Sequence, residues 1–331
     1  MANIELALVL SDNPRTRPII DGLVKPDGID LHITIAHPSE MFWRQLHFEE
    51  FDLSEMSLSS LLAGIAHGDK RWVGIPVFTS RRFFHTGILV RTDAGINKPE
   101  DLKGKRMGVP EYQQTAALWT RAALSQVYGV KASDMKWWME RNPEMSHGGA
   151  TGFKPPADIE FNYIPPSQSI GSMLVSGELD ASLLYINDNN LVDRSRVDMS
   201  KQTTVKRLFD DEVTEGQAYY KKTGFFPINH GMVVQRHVYE KYPWVVLNIY
   251  RMMLEAKNMI DRQAREAAGP YFETGLLPTE GRKAMQTDIF AYGVQANKTI
   301  LTAIPQFSHE QGLTPRVVGL DEVFAPQTLD V

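Results

Sequence analysis

The stretch from residue 80 to residue 114 constrains the fold more than any other part of the sequence. It begins with two arginines and a histidine that lead into an apolar, β-branched segment, and a polar turn and a short connector follow. A second apolar segment, Lys105 to Val109, ends in polar residues, and an amphipathic helix begins at Thr115. This order of strand, connector, strand and helix is typical of a chain that leaves one α/β lobe and starts another.

Strands and helices alternate before this stretch. Residues 4–10, 29–36, 51–56 and 72–78 have the apolar pattern of strands, and segments with helical periodicity separate them. Such spacing predicts a mostly parallel sheet with helices on its faces. Residues 225–234 are predicted to return as a second crossing strand, after which helices dominate.

The two crossings divide the predicted fold into two lobes. One lobe is expected to be discontinuous, with residues 1–90 and 226–331, and the other continuous, with residues 91–225. A chain of 331 residues is long enough for two lobes of ordinary domain size. This layout predicts an α/β fold of the type 2 periplasmic-binding-protein class, whose cleft closes by hinge motion at the crossings. Residues 142–156, rich in Gly, Pro and Ser, are expected to form a loop over that cleft.

The composition excludes several classes of function. The net charge is −5 and there is no long basic run, so nucleic acid is not an expected partner. No apolar run reaches about 18 residues, so no membrane span is expected. The absence of cysteine excludes disulfides, thiolate catalysis and Cys-type zinc sites. The first ten residues lack the basic and apolar regions of a signal peptide, which predicts a cytoplasmic protein.

Four arginines are candidates for binding an anion in the cleft. Arg81 and Arg82 stand where the first crossing begins, and a guanidinium can bind a carboxylate through two hydrogen bonds. Alternation along a strand sends their side chains to opposite faces, so at most one of them should enter the site directly. The alternative is a surface pair that forms salt bridges with the linker between the lobes. Arg15 and Arg17 follow the first strand, and one of them could complete the binding of the carboxylate.

Two histidines lie on the predicted crossings. His85 is on the first and His230, preceded by Asn229, is on the second. Each is either a core histidine or a general acid–base group that faces the cleft. Glu111 precedes a helix, where it either complements the helix dipole or orients a histidine. Both histidines and Glu111 could also hold a divalent metal, but separations this long carry no ligand-spacing signature, so no metal site is predicted.

Hydroxyl and amide side chains cluster at two predicted helix starts. Gln113, Gln114 and Thr115 open the helix of the second lobe, and Ser57 and Ser59 open one in the first lobe. Helix N-termini bind anions, so these side chains are candidates for contacting a carboxylate. The alternative is simple N-capping.

Short motifs along nearly the whole chain carry a resemblance to a known family. They are Asp12-Asn-Pro-Arg-Thr-Arg-Pro, Glu55-Met-Ser-Leu-Ser-Ser, Ile75-Pro-Val-Phe-Thr-Ser-Arg-Arg-Phe-Phe-His, the run Pro99 to Val130, Pro227-Ile-Asn-His and Glu310-Gln-Gly-Leu. With these motifs the sequence resembles the 4,5-dihydroxyphthalate decarboxylases. One departure is Asp288-Ile-Phe-Ala-Tyr-Gly, where that family is expected to be richer in tryptophan and proline.

The resemblance implies a cytoplasmic carboxy-lyase built on a solute-binding scaffold. Its expected reaction is the non-oxidative conversion of 4,5-dihydroxyphthalate, or a close relative, to protocatechuate and carbon dioxide. No organic cofactor is expected, because the hydroxylated ring is itself the electron sink, and a divalent metal stays open. The expected partner is the small aromatic dicarboxylate, and a homo-oligomer is left open. The alternative function is a solute-binding protein for an aromatic or other small carboxylate.

The candidate residues are assigned to two roles on this basis. The predicted catalytic residues are His85, His230, Glu111 and Arg82. The predicted substrate-binding residues are Arg15, Arg17, Ser57, Ser59, Arg81, Gln113, Gln114, Thr115 and Asn229.

Overall fold

The computed structural model describes residues 2–331 and contains two β-sheets. The strands, in chain order, are β1 (Ile4–Leu10), β2 (Ile29–Ile35), β3 (Leu53–Ser57), β4 (Trp72–Arg81), β5 (Leu89–Arg91), β6 (Arg106–Val109), β7 (Lys136–Met139), β8 (Glu160–Tyr163), β9 (Ala181–Ser182), β10 (Val205–Arg207) and β11 (Ile228–Gln235). Sheet A has the strand order β2-β1-β3-β11-β4, and sheet B has the order β10-β5-β9-β6-β7-β8. The predicted two-lobed α/β fold is therefore confirmed.

Helices cover the sheets and connect their strands. The α-helices, in chain order, are α1 (Arg17–Ile20), α2 (Pro38–Phe48), α3 (Leu58–Ala66), α4 (Thr115–Tyr128), α5 (Gly148–Thr151), α6 (Ile170–Ser176), α7 (Glu212–Thr223), α8 (Arg236–Lys241), α9 (Val245–Glu273), α10 (Glu280–Ala284), α11 (Lys298–Glu310) and α12 (Leu320–Val323). The predicted helical part of the chain after the second crossing begins with two helices, α8 and α9. Pro243 lies between them, and a proline lacks the N–H that a helix interior requires.

Sheet A places the last strand of the chain in the middle of the first lobe. β1 pairs in parallel with β2 and β3, whereas β11 runs antiparallel between β3 and β4. In this register His230 lies opposite Ser57 on one side and Ser80 on the other. All five residues of β3 are buried, as expected for a central strand covered on both faces. The return of β11 therefore brings residues from opposite ends of the sequence to one edge of the sheet.

The first crossing differs from the prediction at His85. β4 ends at Arg81, and a one-turn 3-10 helix, Phe84–Gly87, precedes β5 of sheet B. His85 thus lies in a tight turn and not on a strand, because the chain changes direction here to pass between the sheets. The boundary predicted between residues 90 and 91 falls within β5.

Helix α4 fastens the two lobes together. Trp119 in α4 donates a hydrogen bond from Nε1 to the backbone oxygen of Ile228 in β11, at 2.8 Å. Helix α4 also contacts α11, and Arg121 Nε donates to Oε1 of Gln311, the C-cap residue of α11, at 2.8 Å. None of the helices among residues 2–331 is long and apolar enough to cross a membrane.

Replacement of Trp119 should weaken the joint between the lobes. Trp119→Phe keeps an aromatic ring but removes the donor to Ile228, which is fully buried. We expect the free energy of unfolding to fall by about 1–3 kcal/mol, the scale of a buried group left without its partner. Urea unfolding followed by circular dichroism measures this. Trp244→Phe, at a tryptophan that is 41% exposed, is the matched control, and an equal loss in both variants would contradict the role of Trp119.

Candidate active site

A cavity of about 230 Å³ lies between the two lobes. Its walls include residues of α2, β3, β11, the N-terminus of α4 and the loops after β7 and β9. The polar and aromatic lining residues are His37, Ser39, Phe42, Ser57, Arg82, Phe84, Gln114, Thr115, Arg141, His147, Tyr185, Asp188, Asn229 and His230. Six of them were predicted from the sequence: Ser57, Arg82, Gln114, Thr115, Asn229 and His230. They meet because strand ends and helix N-termini of both lobes face one cleft.

His230 forms a pair with a buried glutamate beneath the cavity. Its Nδ1 lies 3.4 Å from Oε2 of Glu55, which is fully buried in β3. Glu55 also accepts hydrogen bonds from Ser11, through both its N–H and Oγ at 2.6 Å, and from Oγ1 of Thr79 at 2.6 Å. Burial raises the pKa of Glu55, but the hydrogen bonds and the nearby imidazole outweigh it and hold the pKa below its usual value. Glu55 is therefore an ionised anchor for the histidine at neutral pH.

Two neighbours fix the orientation of the His230 ring. Nε2 of His230 hydrogen bonds the side-chain amide of Asn229 at 2.8 Å. The edge of the Phe42 ring packs against the imidazole, with the ring centroids 4.8 Å apart and the planes at 85°. An imidazole held on three sides in this way can present its ring to a ligand in a single pose.

Arg82 is the cation that is available to an anion in the cavity. Its side chain is exposed and makes no hydrogen bond or ion pair within residues 2–331, while its backbone N–H donates to the oxygen of Pro227 at 3.2 Å. Arg81, its neighbour, points to the other side of the crossing and donates to the backbone oxygen of Ala291 at 2.8 Å. The predicted alternation between the two arginines is thus observed, and Arg81 does not line the cleft.

The N-terminus of α4 opens into the cavity without a side-chain cap. Gln114 is its N-cap residue but makes no capping hydrogen bond, and Nε2 of Gln114 is buried without a partner within residues 2–331. The first N–H groups of a helix have no intrahelical acceptor. Their partial positive charge and the Gln114 amide together form a donor group suited to a carboxylate.

The hydroxyl groups predicted as ligand contacts mainly hold the lobes together. Ser57 Oγ lies 3.0 Å from Oγ1 of Thr115, and the backbone N–H of Ser59 donates to the same oxygen at 2.9 Å. Ser59 Oγ donates to the backbone oxygen of Gln113 at 2.5 Å, so Ser59 and Gln113 lie behind the cavity wall. Ser57 and Thr115 still line the cavity.

A second buried charge cluster forms the opposite wall. Arg141 donates from Nε to Asp193 at 2.8 Å, from Nη1 to Glu111 at 3.0 Å and from Nη2 to Ser39 Oγ at 2.7 Å. Burial lowers the pKa of Arg141, but the charges of Asp193 and Glu111 outweigh it and hold the pKa above its usual value. Since its donors are occupied, Arg141 shapes the wall and offers little to a ligand. Ser39 belongs to α2, so this cluster also joins the two lobes.

Glu111 lies beneath this wall and not in the cavity. Its carboxylate also accepts hydrogen bonds from Ser146 Oγ at 2.5 Å, from the N–H of Gly148 at 3.2 Å and from the amide of Gln113. Burial raises the pKa of Glu111, yet the nearby imidazole, the guanidinium and these hydrogen bonds bring it below its usual value. An ionised carboxylate with this many donors acts as a support for Arg141 and the loop that starts at Asn142.

Two further histidines line the cavity. His147 is fully buried between Phe42 and Arg141, and burial lowers its pKa to about 4, so it is neutral at physiological pH. His37 caps α2 by accepting from the N–H of Ser39 through Nδ1. Burial is also the main reason that the pKa of His37 lies below its usual value.

Three other predicted residues lie away from the cavity. His85 is buried beside Glu215, 3.3 Å from Nε2 to Oε1, and the Tyr219 ring packs against it at a tilt of 46°, with the ring centroids 4.7 Å apart. Arg15 lies over the ring of Phe290 at 3.9 Å, and Arg17 pairs with surface aspartates. The prediction that His85 and His230 share one cleft is wrong, because the turn at the first crossing directs the His85 ring into the second lobe.

Sequence reasoning missed Glu55, Arg141, His147 and Asp193. Glu55 begins one of the motifs that carry the family resemblance, but its partner His230 lies 175 positions later. Arg141 immediately precedes the predicted loop over the cleft, and His147 lies within it. That loop was the one feature of the sequence that pointed to these two residues. No group of three or more His, Asp or Glu side chains within residues 2–331 has an arrangement that could hold a metal ion.

Comparison with known proteins connects this cleft to one enzyme family. A curated relative from Comamonas testosteroni, named 4,5-dihydroxyphthalate decarboxylase, is 32% identical over 335 aligned residues, which cover 100% of this chain and 99% of the relative. The chain belongs to the 4,5-dihydroxyphthalate decarboxylase family. Within the family, a Pseudomonas putida protein of the same name is 40% identical over 181 residues, covering 55% of this chain and 70% of that protein.

Solved structures relate the fold of this decarboxylase-family chain to solute-binding proteins. The sulphonate-binding protein SsuA from Escherichia coli covers the whole chain at 14% identity with a TM-score of 0.53. The desulfurization enzyme DSZB covers 99% of this chain and 98% of its own at 15% identity, with a TM-score of 0.51. Residues 13–149 also match the family model described as an ABC transporter, phosphonate, periplasmic substrate-binding protein. These likenesses establish the fold.

The buried histidine in the cleft wall should make stability depend on pH. His147 has an ordinary pKa of 6.5 when unfolded but about 4 when folded, so between these values only the unfolded chain takes up a proton. Stability is present in full above pH 6.5 and falls as the pH approaches 4. At pH 5 the loss should be about 2 kcal/mol relative to pH 7.

Urea unfolding at pH 7 and pH 5 tests this dependence. His147→Gln removes the titrating group, so this variant should lose about 2 kcal/mol less than the wild type between the two pH values. His32→Gln, at an exposed position on β2, should behave as the wild type does. An unchanged pH dependence in His147→Gln would contradict the assignment.

Proposed function

We propose that the protein is a carboxy-lyase that converts 4,5-dihydroxyphthalate to protocatechuate and carbon dioxide in this cleft. The observation that carries the proposal is the His230–Glu55 pair, which lies in one small cavity with Arg82 and the open N-terminus of α4. An enzyme for a vicinal aromatic dicarboxylate needs donors for two carboxylates and an acid near the ring. This cavity contains both kinds of group, and the whole-chain relationship to the named decarboxylase supports the substrate class.

The two carboxylates of the substrate are assigned to two donor groups. One pairs with the guanidinium of Arg82, which can bind it through two hydrogen bonds. The other lies at the N-terminus of α4, with the unpaired Gln114 amide as an additional donor. A ligand with one carboxylate leaves one donor group desolvated and unpaired, so the site discriminates against mono-acids.

The reaction begins with deprotonation of the substrate and protonation of its ring. The hydroxyl para to one carboxylate loses its proton to solvent water, and the phenolate pushes an electron pair toward the carbon that bears this carboxylate. Protonated His230 donates the proton on Nε2 to that carbon, while Nδ1 faces Glu55. The neutral Nε2 that results can again accept the hydrogen bond from the Asn229 amide. General acid catalysis of this kind typically contributes about 100- to 10,000-fold to a rate.

Loss of carbon dioxide completes the reaction. The tetrahedral carbon now carries a hydrogen and the carboxylate, and the carbon–carbon bond breaks with its electron pair returning to the ring. The ring becomes aromatic again as a phenolate, which takes up the proton that it lost. The balance is one dicarboxylate dianion plus one proton giving one monoanion and one carbon dioxide.

The chemistry assigns the electron sink to the substrate. We therefore propose that no organic cofactor takes part, and assays with added chelator and with added divalent metal determine whether a metal contributes. The cytoplasmic location and the oligomeric state stay predictions of the sequence.

A solute-binding protein would differ from the enzyme in one measurable respect, because it would bind the substrate without forming product. Purified protein incubated with 4,5-dihydroxyphthalate should release carbon dioxide and protocatechuate in equal amounts, with uptake of one proton. Tight binding without product at any pH, with or without divalent metal, would favour a solute-binding protein.

Removal of the available cation should weaken substrate use. Arg82→Met is expected to lower kcat/KM by roughly 30- to 1000-fold, which corresponds to about 2–4 kcal/mol for a lost charge-assisted pair. Arg82→Lys should also be impaired, because an ammonium cannot replace a planar guanidinium. Steady-state kinetics measures both, with Arg251→Met at an exposed position on α9 as the control. Wild-type kinetics in both Arg82 variants would remove this residue from the site.

The His230–Glu55 pair should matter for turnover more than for binding. His230→Asn is expected to lower kcat by about 100- to 10,000-fold while substrate affinity changes by less than about tenfold. Glu55→Gln should lower kcat more than it raises KM, because it removes the charge that holds the imidazole in place. Calorimetric titration beside a turnover assay separates the two effects. Normal turnover in His230→Asn would place the acid elsewhere.

A further inference from the structure

A larger cavity lies on the other side of the two crossings. Its volume is about 790 Å³, and it is lined by both lobes. The first crossing contributes Arg81 and Phe83, the second contributes the segment 224–226, and the remaining wall comes from α7 and residues 284–300. It shares no lining residue with the cleft that contains His230. A cavity of this size is in the range of small-molecule sites.

Four of the sixteen residues that line this cavity are aromatic. Phe83 and Phe226 pack against each other with ring centroids 5.0 Å apart, and Phe225 and Tyr220 complete the aromatic surface. Exposed aromatic surface in a concave site favours a flat apolar ligand, because stacking adds to the gain from burial. The lining therefore indicates an aromatic ring as part of the ligand.

One guanidinium in the wall of the cavity has donors that lack hydrogen-bond partners. Nη2 of Arg81 donates to the backbone oxygen of Ala291 at 2.8 Å and to the side chain of Asn297. Nε of Arg81 is buried and unpaired, and Nη1 makes no hydrogen bond within residues 2–331. Burial lowers the pKa of Arg81 to about 10, yet the group stays charged at neutral pH. A buried cation whose donors are not all satisfied is costly, and an anion that accepts from those donors lowers this cost.

The other charged group in the wall limits the anion to a single negative charge. Asp288 lines the cavity and pairs with the buried Lys257 at 2.7 Å, so its position is fixed. A second carboxylate on a ligand bound to Arg81 would share the cavity with this aspartate, and like charges disfavour each other.

We propose that this cavity is a second ligand site, distinct from the cleft, that binds an aromatic monocarboxylate with its carboxylate on Arg81. Both crossings form its walls, so a bound ligand contacts the two segments about which the lobes move. Occupancy and lobe closure are then linked, and the linkage acts in both directions. The proposal does not depend on the reaction assigned to the cleft.

The test distinguishes the two sites by substituting their arginines, because Arg82 lines the cleft and Arg81 lines the larger cavity. Benzoate is titrated calorimetrically into full-length Arg82→Met protein, in which the cleft lacks its available cation. One benzoate per chain should bind, and benzamide, which has the same shape but no charge, should bind at least about tenfold more weakly, as expected for a lost charge-assisted pair.

Two further variants in the Arg82→Met background locate the ligand. Arg81→Met should weaken benzoate binding at least about tenfold. Ile289→Glu places a carboxylate at the exposed rim, where 57% of the isoleucine is accessible, and should weaken binding to the same extent without affecting the fold. Circular dichroism checks both variants, and Ile289→Glu alone decides the matter if Arg81→Met does not fold.

Four outcomes would overturn the proposal. They are the absence of saturable benzoate binding to Arg82→Met, equal binding of benzamide, benzoate binding that Ile289→Glu leaves unchanged, and benzoate binding that a folded Arg81→Met variant leaves unchanged. Sedimentation in the same buffers identifies a further contrary outcome, in which the cavity is covered by a second copy of the chain and Ile289→Glu dissociates the assembly.

Discussion

The buried carboxylate of Glu55 is the interaction on which the arrangement of the cleft depends. A charge in the interior is tolerated only when it is paired, and Glu55 takes its partners from three directions in the first lobe. Ser11 follows β1, Thr79 belongs to β4 and His230 belongs to β11. One carboxylate thus ties together strands that are far apart in sequence, and it holds the imidazole of His230 at the surface of the cavity.

The second lobe contains a similar buried charge cluster, but its central group is a cation and not a carboxylate. Arg141 is buried between Asp193 and Glu111, and its remaining donor reaches Ser39 of the first lobe. Because both buried clusters are internally satisfied, neither competes for an anion in the cleft. The available donors there are Arg82 and the N-terminus of α4. The buried charges therefore stabilise the fold, while Arg82 and the N-terminus of α4 are left for a ligand. This arrangement suits a small cavity that is proposed to bind a dicarboxylate next to a histidine.

A fold shared with solute-binding proteins becomes an enzyme through few additions. Such a scaffold already supplies a cleft, helix N-termini and a hinge. What the proposed reaction requires in addition is an acid that is oriented toward the ring, and His230 with Glu55 supplies it. The same two crossings also contribute to the larger cavity that contains Arg81, so one structural feature forms part of both cavities. Arg81, the last residue of β4, lines the larger cavity, and Arg82, the next residue along the chain, lines the cleft.

The sequence by itself determined the local elements, the two-lobed α/β fold and the group of polar residues at the crossings. These follow from periodicity and from helix and strand ends, which are properties of neighbouring residues. It also identified Arg82, His230 and the start of α4 as parts of one cleft. Tertiary structure alone decided that His85 turns into the second lobe and that Glu111 supports Arg141. Buried charges find their partners across distances that no local pattern records, as Glu55 and His230 do, and only the packed fold determines which of them meet.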